Sequence, residues 1–335
     1  MAIVEARQLT KVFRRPDKDP GLRGAVKHLF TRRFTDKIAV DHVDLSIEAG
    51  EAVAYVGPNG AGKSTTVKLL SGILVPTSGE VRIDGLEPRK DRIAVSHRIG
   101  VLFGQRTQLW WDLPVAESLA VLRDIYGVDH GTYRRRMAQF DEVLDLGEVL
   151  PVLGRKLSLG QRMRADLAAA LLHAPPVVYL DEPTIGLDLA VKDRVREFFR
   201  TLRDEGTTVM LTSHDLGDIE GFCRRLIIID SGRIIFDGDL EAVKDAFARE
   251  RILNVEADST VPLDALRNAL PGATVEPGET PVQFSVRFDR FTMTAGQAVT
   301  ALAPLTNLVD FHVDEPSIED VIRRVYSGEL QLDNA

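Results

Sequence analysis

The feature that most constrains this 335-residue chain is the stretch GPNGAGKST, residues 57–65, set between the apolar run AVAYV and a segment of helical character. It fits the spacing G-x-x-x-x-G-K-[ST], in which a strand ends, a tight loop forms and a helix begins. Gly57, Pro58, Asn59, Gly60, Ala61 and Gly62 supply a loop whose backbone N–H groups can close around phosphate oxygens. Gly60 and Gly62 allow backbone conformations that side chains obstruct. The helix start adds the positive end of its dipole. Lys63 can then reach the terminal phosphates, the Ser64 hydroxyl can ligate Mg²⁺, and Thr65 completes the motif in the first helical turn.

VVYLDEPT, residues 177–184, reads as the second half of that site. Four apolar residues carry Asp181 to a strand end, where it can hold Mg²⁺ through water, and Glu182 beside it is placed to polarise an attacking water. GTTVMLTSHD is another short β-rich run with polar residues at its carboxyl end. Such runs read as parallel strands covered on both faces, and α/β sheets bind ligands at those carboxyl ends. Between them, DLAVKDRVREFFRTLRDEG reads as an amphipathic helix closed by Gly206, and residues 115–150 as mostly helical.

Length argues for two domains, and with 44% hydrophobic residues each can bury a core. After SGRIIFDGDLEAVKDAFARE the pattern becomes strand, helix, strand, strand, helix, strand and a closing helix. That is the βαββαβ order of ferredoxin-like domains, so the expected division is 1–244 and 245–335. The net charge of −8 argues against a general nucleic-acid-binding surface. Cys223, the only cysteine, has no partner for a disulfide within the chain, which fits a reducing compartment. No uninterrupted apolar segment is long enough to span a bilayer, and the longest candidate, LAAALLHAPPVVYL, is broken by Pro175 and Pro176. A membrane role is therefore expected only through a partner.

The segment LSLGQRMRADLAAALLHAPPVVYLDEPTIGLD, residues 157–188, together with the phosphate loop upstream, resembles ABC transporter ATPase subunits across about residues 1–240. EPSIEDVIRRVYSGE, near the C-terminus, resembles the appended domain of many type 2 exporter subunits. The resemblance implies an α/β P-loop ABC ATPase domain with a helical subdomain at about residues 105–160, plus a small C-terminal α+β domain. It implies ATP and Mg²⁺ as ligands. Ser158, Gly160 and Gln161 then form the signature that contacts the γ-phosphate of ATP held by the opposite subunit. Asp188 is the D-loop aspartate linking the two ATP sites, and His214 is the switch histidine that reaches the γ-phosphate. Gln105 contacts Mg²⁺ and the water, joining Ser64 and Asp181 as metal contacts, and starts the segment that addresses the membrane subunit. The usual L-S-G-G-Q pattern is broken by Leu159, so the backbone there must tolerate a side chain.

Family members stack adenine on an aromatic residue near the N-terminus, and Phe34, five positions before Ala39, has the family's usual spacing; Phe13 is the other candidate. Residues 14–33 are an insertion with seven Lys or Arg against two Asp, and Leu22, Val26, Leu29 and Phe30 fall on one helical face. This basic helix is expected to lean on the permease or the anionic inner membrane surface, or to lie as a flap on its own domain. Together with LFGQRTQLWWDLP, the insertion is similar to a viologen-exporter-like subgroup. Of Trp110 and Trp111, one is expected to pack inward and the other to help form the groove for the permease.

The family implies a homodimer around two ATP, docked on integral membrane permease subunits, cytoplasmic and peripheral on the inner face of the cell membrane. It would power export of an unidentified substrate without a nucleic-acid partner. The alternative is a soluble ABC-type ATPase acting on a ribosome or nucleic acid, although such proteins typically carry two cassettes or a long coiled coil. A GTPase would need an N-K-x-D motif, which this sequence lacks.

Overall fold

The computed structural model describes residues 2–16, 34–104, 107–213, 218–219, 221–242 and 250–314. Gln105, His214, the inserted residues 17–33 and the expected closing helix lie outside the described residues. Two compact units divide the chain, Met1–Asp237 and Gly238–Ala335, a few residues before the boundary expected from composition.

In the first unit, β1 (Ala2–Pro16) pairs antiparallel with β2 (Phe34–Glu48). After β3 (Ala52–Val56) and α1 (Lys63–Leu70), β4 (Ser78–Ile83) adds to the other edge of β1. The alternation in the second half of β2, with Val43, Leu45 and Ile47 buried and Asp44 and Ser46 exposed, shows why this layer is one-sided. Its inner face packs on Val53 and Tyr55 of β3 and on Val67 and Leu70 of α1.

The chain continues through α2 (Arg92–Ser96), β5 (Ile99–Phe103), α3 (Val115–Tyr126), α4 (His130–Leu144) and α5 (Leu159–Leu171). Then follow β6 (Val177–Asp181), α6 (Leu189–Asp204), β7 (Thr208–Thr212), β8 (Arg225–Asp230) and β9 (Arg233–Asp239). The six-stranded sheet has the order β5-β6-β7-β3-β8-β9, with β5, β6, β7, β3 and β8 paired in parallel. Every residue of β3 and β7 is buried, and β6 is buried up to Asp181. A strand covered on both faces has no solvent side to mark with polar residues, hence the unbroken apolar runs. In α6, Val191, Val195, Phe198, Phe199 and Leu202 recur at helical spacing as its buried stripe, and the chain leaves it through Gly206 at φ 90°.

The second unit runs β10 (Glu250–Ala257), α7 (Leu263–Ala269), β11 (Thr274–Pro277), β12 (Gln283–Asp289), α8 (Ala295–Leu302) and β13 (Leu308–Asp314). Its sheet order β11-β12-β10-β13, antiparallel throughout, interleaves two split βαβ units in the ferredoxin-like manner. Leu253, Val255 and Val286 meet Leu266, Leu270, Ala298 and Leu302 of the two helices in its core. Among the described residues no helix is long and apolar enough to cross a membrane.

Candidate functional site

The loop after β3 is shaped by two glycines that close approach requires. A Cβ at Gly57 would lie 2.3 Å from the Ile229 carbonyl oxygen, and one at Gly62 would lie 2.5 Å from that of Ala39. Gly62 also has φ 118° and is the N-cap of α1 without any side-chain cap. The first-turn N–H groups of α1 are thus not shielded by a capping side chain, the arrangement in which a helix start receives an anion. Lys63 Nζ donates to the carbonyls of Gly57 and Pro58, folding back over the loop. Burial pushes the Lys63 ammonium below its ordinary range, and the Glu182 and Asp181 carboxylates pull the other way. A polyphosphate would supply the negative charge this partly desolvated ammonium favours.

Sheet order sets the opposite wall. Because β7 lies between β3 and β6, Thr212 at its end sits beside Asp181 at the end of β6. Thr212 Oγ1 donates to Asp181 Oδ1 at 2.5 Å, and Ser64 Oγ donates to Asp181 Oδ2 at 3.0 Å. Asp181 and Ser64 thereby present hard oxygen donors side by side at the loop. Among the described residues no group of three or more His, Cys, Asp or Glu side chains forms a metal cage. Mg²⁺ commonly takes one or two protein oxygens and completes its shell with phosphates and water, so this pair suits it.

Glu182 has φ 56°, a left-handed conformation that side chains disfavour, and its N–H donates to the Thr212 carbonyl at 2.9 Å. Such a conformation persists where the surroundings over-determine it. Here Asp218, 2% exposed, accepts from Thr184 Oγ1 at 2.5 Å, Ser213 Oγ at 2.9 Å and Arg196 Nε at 2.8 Å. The turn carrying Glu182 is tied through Thr184 to the end of β7 and to α6. Sequence reading missed this group, for which no local motif stands.

A cleft of about 680 Å³ joins these parts, bounded by Asn59, Gly60, Lys63–Thr65, Gly104, Asp181 and Glu182. Its far wall carries Phe13, Lys37 and Ala39, and Phe34 does not line it. Strand parity is the reason. Lys37 is the cross-strand partner of Phe13, so the two share a face, and Ala39 joins them on the cleft wall from the register irregularity between Lys11 and Val12. Phe34 is an odd number of positions from Lys37 and points to the other face, 52% exposed. Of the two N-terminal candidates, Phe13 lines the cleft and Phe34 does not.

Ser158, Gly160, Gln161 and Asp188 do not line this cleft either. Ser158 caps α5 in a reciprocal box, its Oγ accepting from the Gln161 N–H at 3.2 Å while its own N–H donates to Gln161 Oε1 at 3.0 Å. Gly160 touches the turn after β6, for a Cβ there would lie 2.5 Å from the Gly186 carbonyl oxygen. Leu159 lies where a Cβ on Gly186 would stand, and it remains 49% exposed, so the backbone does accommodate its side chain. Asp188 caps α6, its Oδ1 accepting from the Val191 N–H at 3.0 Å. Trp110 and Trp111 are 40% and 65% exposed, so neither packs inward as one of them was expected to do. Backbone contacts hold their turn instead: the Arg155 N–H donates to the Trp111 carbonyl, and that of Gly154 to Leu113.

The ABC transporter family model matches residues 40–185. The daunorubicin/doxorubicin resistance ATP-binding protein DrrA of Streptomyces peucetius is 32% identical over 289 residues, which are 84% of this chain and 86% of that one. The Nod factor export ATP-binding protein I of Cupriavidus metallidurans is 32% identical over 74% of this chain and 81% of its own length. A solved dimeric ATP-binding cassette in a post-hydrolysis state with ADP and Pi superposes with a TM-score of 0.59 at 25% identity, covering 71% of this chain and 98% of the other. A glycine-shaped anion loop, paired hard-oxygen donors and these relatives converge: the chain belongs to the ABC transporter family, as an ATP-binding subunit with an ATPase domain that takes ATP with Mg²⁺.

Proposed function

We propose that this chain closes with a second copy of itself around two ATP and, by hydrolysing them, powers export of a substrate through a separate membrane permease. The observation that carries the reading is the position of Ser158. It sits exposed at the start of α5 and does not line the cleft that holds Lys63, Asp181 and Glu182. One chain therefore holds two half-sites. A head-to-tail pair related by a two-fold axis brings each Ser158, Gly160 and Gln161 to the partner's cleft. The relatives named for drug resistance and for export support the direction of transport.

Within each composite site the backbone of residues 57–62 and Lys63 hold the phosphates, Phe13 stacks on the base, and Ser64, Asp181 and Gln105 hold Mg²⁺. The bound ion would neutralise charge on the phosphates during transfer. Glu182 accepts a proton from the water that attacks the γ-phosphorus in line, and ADP departs. His214 and the helix start at Ser158 contact the transferring γ-phosphate, and Asp188 links the two sites. Trp110 and Trp111 present an exposed aromatic surface to the permease, on the inner face of the cell membrane.

Glu182→Gln should stop steady-state hydrolysis and convert the chain to a dimer on a sizing column when MgATP is present; adding Ser158→Ala should weaken that dimer. Undiminished turnover by Glu182→Gln refutes the base assignment, and a chain that stays monomeric with MgATP bound refutes the sandwich. Recovery of the tagged chain from membranes with ribosomes or DNA, and with no integral membrane protein, refutes the exporter reading.

A further inference from the structure

Asp166 is a carboxylate in the wrong company. It sits midway along α5, flanked by Ala165, Leu167, Ala168 and Ala169, all buried, and is itself 3% exposed. Removing a carboxylate from water is costly unless donors meet it. Two do, and both come from the segment after β5: Thr107 Oγ1 at 3.0 Å and the Gln108 N–H at 2.8 Å, each to Oδ1. The same segment is fixed at two further points. Gln108 Nε2 donates to the Val101 carbonyl at 2.6 Å, and the Trp110 N–H donates to Ser118 Oγ at 3.3 Å. Gln108 therefore ties strand β5 to helix α5, and Trp110 lies two positions beyond it.

We propose that Asp166 is a positioning residue that makes residues 107–111 and helix α5 move as one piece, so that engagement of Ser158 by ATP is felt at Trp110 and Trp111. The inference rests on the reading that Ser158 contacts ATP across a dimer. The geometry is direct. α5 begins at the residue after Ser158, and Asp166 is two helical turns further along the same rigid rod. Displacement of the helix start is carried to the carboxylate, and through two hydrogen bonds to the turn that bears both tryptophans. An alanine would fill this place on the helix without the desolvation cost, yet it would hold nothing.

Because Trp110 and Trp111 are the only tryptophans, intrinsic fluorescence of the full chain reads this link directly. In the Glu182→Gln background, MgATP is expected to change tryptophan emission as the dimer forms. Adding Asp166→Ala should abolish most of that change while MgATP binding, followed by equilibrium dialysis, persists. Asp166→Asn, which keeps an acceptor oxygen for both donors, should restore it. Thr107→Val, which removes one of the two bonds, should give an intermediate response and covers the case in which Asp166→Ala fails to fold. A merely structural role would lower the thermal midpoint of Asp166→Ala but leave the emission change of the folded chain intact, and that result overturns the proposal. So does a parent chain that dimerises with MgATP at constant emission. A parent that binds MgATP without dimerising refutes the sandwich itself, a separate failure.

Discussion

Two titratable groups of the ATPase unit, the buried Asp166 and the half-buried His173, should oppose one another in acid, and single substitutions should expose both. Burial pushes the Asp166 carboxyl from 3.8 up to about 6, against the pull of Gln108, Thr107 and Arg162. Burial pushes His173 from 6.5 down to about 4, although its hydrogen bond to the Ile99 carbonyl favours the charged ring. The signs differ. Between the two values for Asp166 the folded chain holds a proton that the unfolded chain has released, so this group's stabilising share is present below 3.8 and lost as pH rises through about 6. For His173 the folded chain lacks a proton that the unfolded chain binds, so its share is present above 6.5 and lost as pH falls through about 4. Each displacement corresponds to about 3 kcal/mol, so the two nearly cancel in the unsubstituted chain. Asp166→Asn should therefore gain about 3 kcal/mol on the parent between acid and neutral pH, and its own stability should fall steeply on acidification. His173→Gln, which keeps a donor for Ile99, should gain a similar amount in the opposite direction. Urea unfolding followed by circular dichroism across this range measures both. A difference between Asp166→Asn and its parent that is the same in acid as at neutral pH refutes the argument from burial.

Phe13→Ala should weaken ATP binding by the worth of one base–aromatic stack, about 1–3 kcal/mol, whereas Phe34→Ala should leave it nearly unchanged. Fluorescent ATP-analogue titration separates them, and the reverse order would show that the hairpin's cleft face has been misassigned. Asp218→Ala should cost about 1–3 kcal/mol in urea unfolding, because it removes the buried acceptor shared by Thr184, Ser213 and Arg196, although Asp193 still pairs with the Arg196 guanidinium. A loss below about 1 kcal/mol would mean that Asp218 does not hold the Glu182 turn.

The parts of the site that were legible in the sequence are those whose chemistry is local. Gly57 through Thr65 must be contiguous, since a strand, a loop and a helix start enclose one anion, and Asp181 with Glu182 must follow an apolar run because a buried strand delivers them. Thr212 and Asp218 lacked such a signature. Thr212 matters because β7 is inserted between β3 and β6, a fact of strand order. Asp218 gathers Thr184, 34 positions upstream, and Arg196, 22 positions upstream. The signature segment was legible as a unit, yet its fit around Leu159 depends on Gly186 lacking a Cβ, in a turn 27 residues later.

Phe13 and Phe34 show the same limit in its sharpest form. Counting positions back from Ala39 selects Phe34, but a count along one strand does not decide which face a side chain takes. Each step along a strand reverses the face, so the choice depends on the register of β1 against β2. That register is interrupted at several places between Ala2 and Val12, and each irregularity can shift a residue from one face to the other. From Val12 to Pro16 the pairing is regular and sets Phe13 opposite Lys37, with Phe34 three positions away on the reverse side. Asp166 follows the same logic one level higher. A charged residue in an alanine-rich helix looks like an error until the segment 58 and 59 positions upstream is folded against it. Arg162, one helical turn earlier, offsets only part of that cost, and the remainder is the trace that a long-range contact leaves in a sequence, pointing to a position worth testing before the partner is known.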